Sequence, residues 1–292
     1  VYYLISYGQK ADIFFFKASE DTLLRYMAEM VNSDDDSMKI KSCKKFSSLM
    51  ERTLKHDNSF DYPFDTLKKV SRLTSPDKLF RTITWDIPKS DGSYEYFGFF
   101  QVYDKKKNKY VIYKLNDKSE EIQNPEKQFL DNNRWYGCLY YKIIMQKYKS
   151  NTYYTLLGWD GNNNLSNKKI IDIVNFNVSS RPSFGAAIFQ SEKDDKILYN
   201  RVIFEFAKNV IMKLNYEDNI NKIVFDHLSP VESYMEGQYQ FYGPDLSYDA
   251  YYFKNGIWKY EKNIDIKNDK KFTKEIKRKP QMGLTSPKQK NN

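Results

Sequence analysis

Histidine, cysteine and glycine are scarce in this chain, which has 2 His, 2 Cys and 11 Gly among 292 residues. So few histidines and cysteines, at spacings unlike those of the common zinc sites, argue against a zinc protein. The chain also lacks the glycine-rich loops that bind nucleotide phosphates and the Gly-x-Ser-x-Gly turn of many serine hydrolases. The sequence therefore predicts no metal, no cofactor and no catalytic residue.

Long apolar runs are absent as well. A membrane-spanning helix needs roughly 20 apolar residues, whereas runs such as Ile13 to Phe16 have only the length of a strand. The chain is therefore not expected to be transmembrane. Two cysteines in a chain of this length form no disulfide framework, which favours free thiols at Cys43 and Cys138. Their pairing in an exported protein stays open as the alternative.

The positive charge is concentrated near the C-terminus. The whole chain has 47 Lys and Arg against 38 Asp and Glu, a net charge of +9. Residues 261–292 hold ten bases and four acids, which leaves 37 − 34 = +3 on the first 260 residues. We predict an extended or disordered basic tail over residues 263–292, in which Lys277, Arg278 and Lys279 contact a partner or an anionic surface. The nearly balanced remainder argues against a nucleic-acid-binding function.

Aromatic residues are abundant: the chain has 25 Tyr and 20 Phe. Both favour half-buried pleated surfaces, so their excess indicates a β protein. Hairpin-type turns occur at Asp91-Gly92, Asp160-Gly161-Asn162 and Asn255-Gly256, and no long crossover helices separate the alternating segments. We predict an α+β, mainly β fold, in which an antiparallel meander forms a sandwich or open barrel beside an N-terminal helical subdomain.

The pattern divides the chain into residues 1–76, residues 77–262 and the tail, residues 263–292. In the first part we expect one or two strands in Val1–Phe16, a helix capped by Ser19, a second helix around Phe46 and a third from Pro63 to Leu73. The predicted strands of the second part are Phe80–Asp86, Tyr94–Tyr103, Lys109–Leu115, Trp135–Tyr148, Thr152–Trp159, Lys169–Phe176, Phe184–Gln190, Arg201–Phe206, Ile211–Tyr216, Lys222–Asp226, Tyr248–Lys254 and Ile257–Lys262.

Acidic side chains occur near several predicted strand ends, at Asp86, Asp160 and Asp172. Asp160 also begins a run with the 1, 3, 5 oxygen spacing of a calcium loop, continued by Asn162 and Asn164. The glycine and the bidentate glutamate of that loop are missing, which favours a hairpin turn at this position.

The tryptophans Trp85, Trp135 and Trp159 have two readings. They form a structural aromatic cluster, or they line a cleft for a glycan or peptide. In the second reading, the candidate contacts for a ligand or partner also include Tyr136, Asp160 and Asn162.

One block goes beyond a general β pattern. It comprises Trp135–Ile144 (WYGCLYYKII), Tyr153–Asn162 (YYTLLGWDGN), Lys168–Asp172 and Phe184–Phe189, with Thr84-Trp85 upstream. This block resembles a family of uncharacterised, signal-peptide-bearing proteins of the Bacteroidetes type, over about residues 80–190. That family has no assigned activity or catalytic residue. The resemblance implies a place in the cell envelope, in particular the periplasm, which agrees with a first residue, Val1, left by signal-peptide removal.

The functional expectation is a non-enzymatic envelope protein that acts as an interaction or accessory subunit of a larger complex. Its motivation is the absence of catalytic motifs, the tyrosine-rich β pattern and the charged tail. The alternative is a glycan-binding module or hydrolase that uses a tryptophan-lined cleft of the β domain.

Overall fold

Strands with alternating apolar side chains make up most of residues 71–265, and two helices precede them. The structure is a computed structural model that describes residues 7–265. The helices are α1 (Tyr7–Asn32) and α2 (Asp36–Leu54). The strands are β1 (Ser71–Thr74), β2 (Phe80–Pro88), β3 (Tyr94–Asp104), β4 (Lys109–Asn116), β5 (Leu130–Asp131), β6 (Leu139–Tyr148), β7 (Asn151–Asp160), β8 (Ser166–Phe176), β9 (Pro182–Phe184), β10 (Phe189–Gln190), β11 (Leu198–Tyr199), β12 (Val202–Ala207), β13 (Leu214–Glu217), β14 (Lys222–Pro230), β15 (Tyr242–Lys254) and β16 (Ile257–Glu261).

The strands form three sheets. The N-terminal sheet has the order β1-β2-β3-β4, and the C-terminal sheet has the order β11-β10-β16-β15-β14-β13. The central sheet has the order β5-β9-β8-β7-β6, and β12 pairs with the first half of β8. Within the described residues, every pairing is antiparallel except that of β10 with β16. Most neighbours in a sheet are also neighbours in the chain, which confirms the predicted antiparallel meander and the α+β, mainly β class.

Alternate side chains of each strand enter different cores. On β2, Phe80 faces the central sheet, whereas Ile83 and Trp85 face the two helices. On β7, Leu156 enters the core shared with the N-terminal sheet and Leu157 enters the core shared with the C-terminal sheet. The layers therefore follow in the order helices, N-terminal sheet, central sheet and C-terminal sheet. Both faces of the central sheet are covered, as in a sandwich of stacked sheets.

Each of the twelve predicted strands overlaps a strand of the structure, but the expected strands of Val1–Phe16 were wrong over the described part. Tyr7–Phe16 is the beginning of α1, so the helix starts before Ser19. Phe16, Leu23 and Met27 recur at helical spacing and are buried, and this longer periodicity overrides the short aromatic run that suggested a strand. Val1–Ser6 lie outside the described residues.

The helix predicted from Pro63 to Leu73 is also wrong. The segment is irregular until β1 begins at Ser71. The buried Glu20 carboxylate accepts hydrogen bonds from the Tyr62 hydroxyl at 2.5 Å and from the Thr66 amide at 2.7 Å. The Arg81 guanidinium donates to the carbonyl of Tyr62 at 2.7 Å. Distant side chains thus bind the Thr66 amide and the Tyr62 carbonyl, which a helix would pair with nearby backbone groups. The periodicity of the sequence does not reveal such long-range contacts.

The two cysteines lie in different cores. Cys43, on α2, is buried against Trp85 between the helices and the N-terminal sheet, and its pKa is raised to about 12 by burial. Cys138 is buried between the N-terminal and central sheets. The structure therefore holds two free thiols. No helix within residues 7–265 is long and apolar enough to cross a membrane.

A buried ion pair lies in the middle of the central sheet. Arg201 Nε donates to Asp172 Oδ2 at 2.9 Å, and both side chains are almost completely inaccessible to water. The same guanidinium donates through Nη1 to the carbonyl of Gln128 at 3.1 Å and to that of Pro125. Arg201 thus neutralises the buried charge of Asp172 on β8 and also holds the loop before β5 in place.

We predict that Asp172→Asn lowers the free energy of unfolding by about 3–5 kcal/mol, because it leaves the Arg201 guanidinium buried without its counter-ion. Urea unfolding followed by tryptophan fluorescence measures the change. Asp195→Asn, at an exposed position, is the control and is expected to change stability by about 0.5 kcal/mol or less. A loss below about 1 kcal/mol in Asp172→Asn would show that the pair does not hold the sheet together.

Candidate functional site

A polar cleft of about 400 Å³ opens where the turn of the β7–β8 hairpin meets the beginning of β3. Three of the six residues predicted as ligand contacts, Tyr136, Asp160 and Asn162, lie in its wall. The residues that line it are Lys89, Tyr94, Glu95, Tyr96, Asp117, Lys118, Ser119, Glu120, Glu121, Tyr136, Asp160, Asn162 and Lys168.

Asp160 is the deepest carboxylate of the cleft. Its Oδ1 accepts hydrogen bonds from the Asn162 amide at 2.7 Å and from the Tyr96 hydroxyl at 2.9 Å. Within residues 7–265, no donor binds its Oδ2. Burial raises the pKa of Asp160, although the Asn162 amide and the Lys168 ammonium oppose the rise. One carboxylate oxygen is thus fixed by the protein, and the other keeps its capacity to accept a hydrogen bond.

Tyr136 and Lys168 supply donors to the same cleft. Lys168 Nζ donates to the Tyr136 hydroxyl at 3.3 Å and lies 6.0 Å from the centre of its ring. Among the described residues, no group accepts the proton of that hydroxyl. Burial raises the pKa of Tyr136, and the negative charge of Asp160 raises it further, so the phenol stays protonated. The cleft therefore presents a free acceptor and a free donor.

One carboxylate holds the wall of the cleft in place. Asp117 Oδ1 accepts hydrogen bonds from the Ser119 amide at 3.0 Å and from the Gly137 amide at 3.2 Å, and Oδ2 accepts from the Tyr96 amide at 3.1 Å. A Cβ at position 137 would lie 2.4 Å from Asp117 Cγ, so only glycine allows this approach. The strand-end residues of the N-terminal sheet are thereby joined to the segment that carries Tyr136.

Asp86 is a second acid close to the cleft. It lies opposite Tyr96 on the neighbouring strand and stands outside the lining of the cleft. Burial raises the pKa of Asp86 to about 6 from its ordinary value of 3.8, and the charge of Asp160 adds to the rise. Two of the three acids noted at strand ends thus come together, whereas Asp172 is used in the buried pair with Arg201.

The three tryptophans, for which the sequence allowed either a structural cluster or a ligand-binding cleft, do not meet. Trp85 is buried in the helix-facing core, where its Nε1 donates to Cys43 Sγ at 3.3 Å. Trp135 is fully buried in the next core, and its Nε1 donates to the Tyr140 hydroxyl at 2.8 Å. Trp159 is half-buried at the cleft end of β7, with its ring edge against Tyr94. The aromatic surface of the cleft is therefore formed by tyrosines. The prediction of a tryptophan-lined cleft is wrong for Trp85 and Trp135, which are buried in separate cores.

Sequence reasoning missed Tyr96, Asp117 and Lys168. No local signal marks them, because each acts through a contact with a distant part of the chain, as Tyr96 does with Asp160, 64 residues away. The hairpin turn at Asp160-Gly161-Asn162 is confirmed, since it joins β7 to β8. The tail residues Lys277, Arg278 and Lys279 lie outside the described residues.

Comparisons with family models, with curated proteins and with solved structures give no match to this chain.

The partly buried Asp86 makes stability depend on pH in a defined direction. Its folded pKa of about 6 exceeds its ordinary 3.8, so the folded state binds the proton more tightly and loses stability as the pH rises through this window. We predict that Asp86→Asn stabilises the protein by about 3 kcal/mol at pH 8 and by little at pH 3.5, since each pKa unit corresponds to about 1.4 kcal/mol.

Urea unfolding of both proteins between pH 3.5 and pH 8 measures the difference. Asp91→Asn is the control, because Asp91 is an exposed acid whose pKa is lowered by Ser93, and it should show the opposite sign. A difference between wild type and Asp86→Asn that stays constant with pH would contradict the burial of the charge.

Proposed function

We propose that the protein is a binding protein whose cleft takes a neutral, polyhydroxylated ligand such as an oligosaccharide. The observation that carries the proposal is the free acceptor at Asp160 Oδ2 beside the free donor of Tyr136 and the ammonium of Lys168. Adjacent hydroxyl groups of a sugar both donate and accept hydrogen bonds, so they match such a set. Tyr94 offers an apolar ring at the rim of the same cleft.

Binding fits the geometry better than hydrolysis. Hydrolysis by paired carboxylates requires both acids to flank the scissile bond. Here the acid with the pKa near 6, Asp86, stands outside the lining of the cleft, behind Tyr96. Asp160 is therefore the one deeply buried carboxylate that reaches a ligand, and we propose no reaction at this site.

We predict that Tyr136→Phe weakens the binding of a neutral oligosaccharide by about 3- to 10-fold, the effect of one lost neutral hydrogen bond. Lys168→Met is expected to weaken binding further, because the lost donor is charged. The measurement is saturation-transfer NMR with glucose-, galactose- and mannose-based oligosaccharides, followed by calorimetric titration of any that bind.

Tyr148→Phe is the matched control, since Tyr148 lies at the opposite end of the β6–β7 hairpin. Circular dichroism checks that each variant is folded. The proposal fails if no neutral oligosaccharide binds at millimolar concentration, or if Tyr136→Phe binds as tightly as Tyr148→Phe.

A second candidate function, an accessory subunit that docks on a partner protein, is favoured by an arm of residues 228–247. The arm is the distal part of the β14–β15 hairpin, beyond the residues that β13 and β16 pair with. It exposes large apolar side chains, with Val231 at 74%, Tyr234 at 75% and Leu246 at 92%. Exposed apolar side chains gathered in one segment are typical of a protein interaction site.

The backbone at Leu246 supports the same candidate. Its φ is 73°, in the left-handed region that costs a residue with a side chain about 1–2 kcal/mol. A bulky apolar residue that is both strained and exposed contributes nothing to the core, so its side chain has a use elsewhere. The cell envelope remains the proposed compartment, supported by the family resemblance, and a signal peptide encoded upstream of Val1 tests it.

We expect the triple variant Val231→Ser, Tyr234→Ser, Leu246→Ser to lose at least about 10-fold of its partner in co-purification from native extracts, because it removes the apolar contacts of the arm. Val178→Ser with Ile220→Ser, at exposed positions away from the arm, is the control and should retain the partner. A chain that is monomeric in native extracts, or a triple variant that co-purifies unchanged, would refute the docking role.

A further inference from the structure

The arm has an unusual charge distribution. Residues 223–253 contain five Asp or Glu and no Lys or Arg, although the chain as a whole is basic. Two of these acids are already bound: Asp226 accepts the Lys213 amide at 2.6 Å, and Asp249 accepts His227 Nδ1 at 2.6 Å. The other three, Glu232, Glu236 and Asp245, are exposed and lie on the arm itself, where Asp245 accepts hydrogen bonds from the nearby Ser247.

The basic end of the chain leaves the fold at the root of this arm. After β16, the Asn263 amide donates to Asp249 Oδ1 at 2.9 Å, and the Ile264 amide donates to the Tyr248 carbonyl at 2.8 Å. Since β16 runs antiparallel to β15, these contacts direct the chain along β15 towards Leu246 and the arm.

The first base of this end already pairs with one acid, Glu192, which lies between β10 and β11. Lys262 Nζ lies 3.1 Å from Glu192 Oε1. The ion pair with Glu192 raises the pKa of Lys262, and the charges of Asp249 and Asp245 add to the rise. The negative field therefore extends from the arm to the point where the basic end begins.

We propose that residues 266–292 lie along the arm of the same molecule and cover its acidic and apolar side chains. These residues carry nine Lys or Arg and two Asp or Glu, opposite in sign to the arm. They also include Phe272 and Ile276, which suit the exposed Val231 and Tyr234.

The reach of this segment is sufficient. Its 27 residues span up to about 90 Å when extended, whereas the eleven residues from Leu246 to Glu236 span at most roughly 36 Å. β-sheet extension along the free edge of β15 is a poorer alternative, because Pro244 has no N–H and Leu246 interrupts the extended backbone. Charge and apolar contact, rather than strand pairing, therefore hold the segment.

The consequence is a docking surface that the protein covers itself. This inference extends the accessory-subunit candidate, because an external partner must displace the segment or bind both elements together. It is independent of the cleft, so its failure would leave the oligosaccharide proposal unaffected.

Zero-length carbodiimide cross-linking of the full chain at low ionic strength tests the proposal, with mass spectrometry of the peptides. We expect amide bonds between Glu232, Glu236 or Asp245 and lysines from Lys267 to Lys279. At about 1 M salt, where the screening length is about 3 Å, the yield should fall at least about fivefold. The variant Glu232→Gln, Glu236→Gln, Asp245→Asn should lose these cross-links.

The matched control removes three exposed acids elsewhere, in Asp21→Asn, Asp57→Asn, Asp195→Asn, and should keep the cross-links to the arm. A mixture of ¹⁴N- and ¹⁵N-labelled chains separates the two ways of covering the arm. Links within one isotope support the proposal, whereas mixed-isotope links alone would assign the surface to a second copy and overturn it. Links spread evenly over all exposed acids would also overturn it.

Discussion

The arrangement of this protein depends on a sheet that is covered on both faces and still contains a charge. Asp172 lies near the middle of β8, with the N-terminal sheet on one side and the C-terminal sheet on the other. A buried carboxylate is tolerated when a counter-charge and hydrogen bonds replace water. Arg201 supplies both, and because it lies just before β12 and also binds the carbonyls of Pro125 and Gln128, it fixes three chain segments at once.

The cleft lies where this covered sheet ends. At their shared turn, β7 ends in Asp160 and β8 begins with Ser166 and Asn167, which are buried polar residues next to partly buried aromatic rings. Asp160 retains hydrogen bonds from Tyr96 and Asn162 that replace water on one oxygen, and the raised pKa of Asp160 reflects the water it has lost. The same stacking of sheets that stabilises the fold thus leaves a rim in which polar groups lie close together with unused bonding capacity.

Most of the fold was predictable from the sequence, because strand alternation and turn chemistry are local. The Asn255-Gly256 turn, for example, has positive φ at both residues, as a two-residue hairpin requires. The prediction failed where distant contacts determine the backbone conformation. Glu20 and Arg81 bind the Tyr62 region, which is not helical, and Phe64 takes a φ of 53° there. In the site, Asp160 and Asn162 were found through their turn, whereas Tyr96 and Asp117 act across strands. The role of the tryptophans could not be decided from the sequence, because a large aromatic ring occurs in a core as readily as on a binding surface.

The net charge of +9 is distributed unevenly along the chain. The acids of residues 223–253 lie on the β14–β15 hairpin, while the excess of bases follows the last strand. Opposite charges attract each other within the screening length, which is about 10 Å at 0.1 M salt. The Lys262–Glu192 pair is an attraction of this kind where the basic end begins, although Glu192 lies between β10 and β11 rather than on the arm. If the basic end covers the arm as proposed, docking through the arm is a competition between that segment and an external surface, and its strength depends on salt as well as on shape.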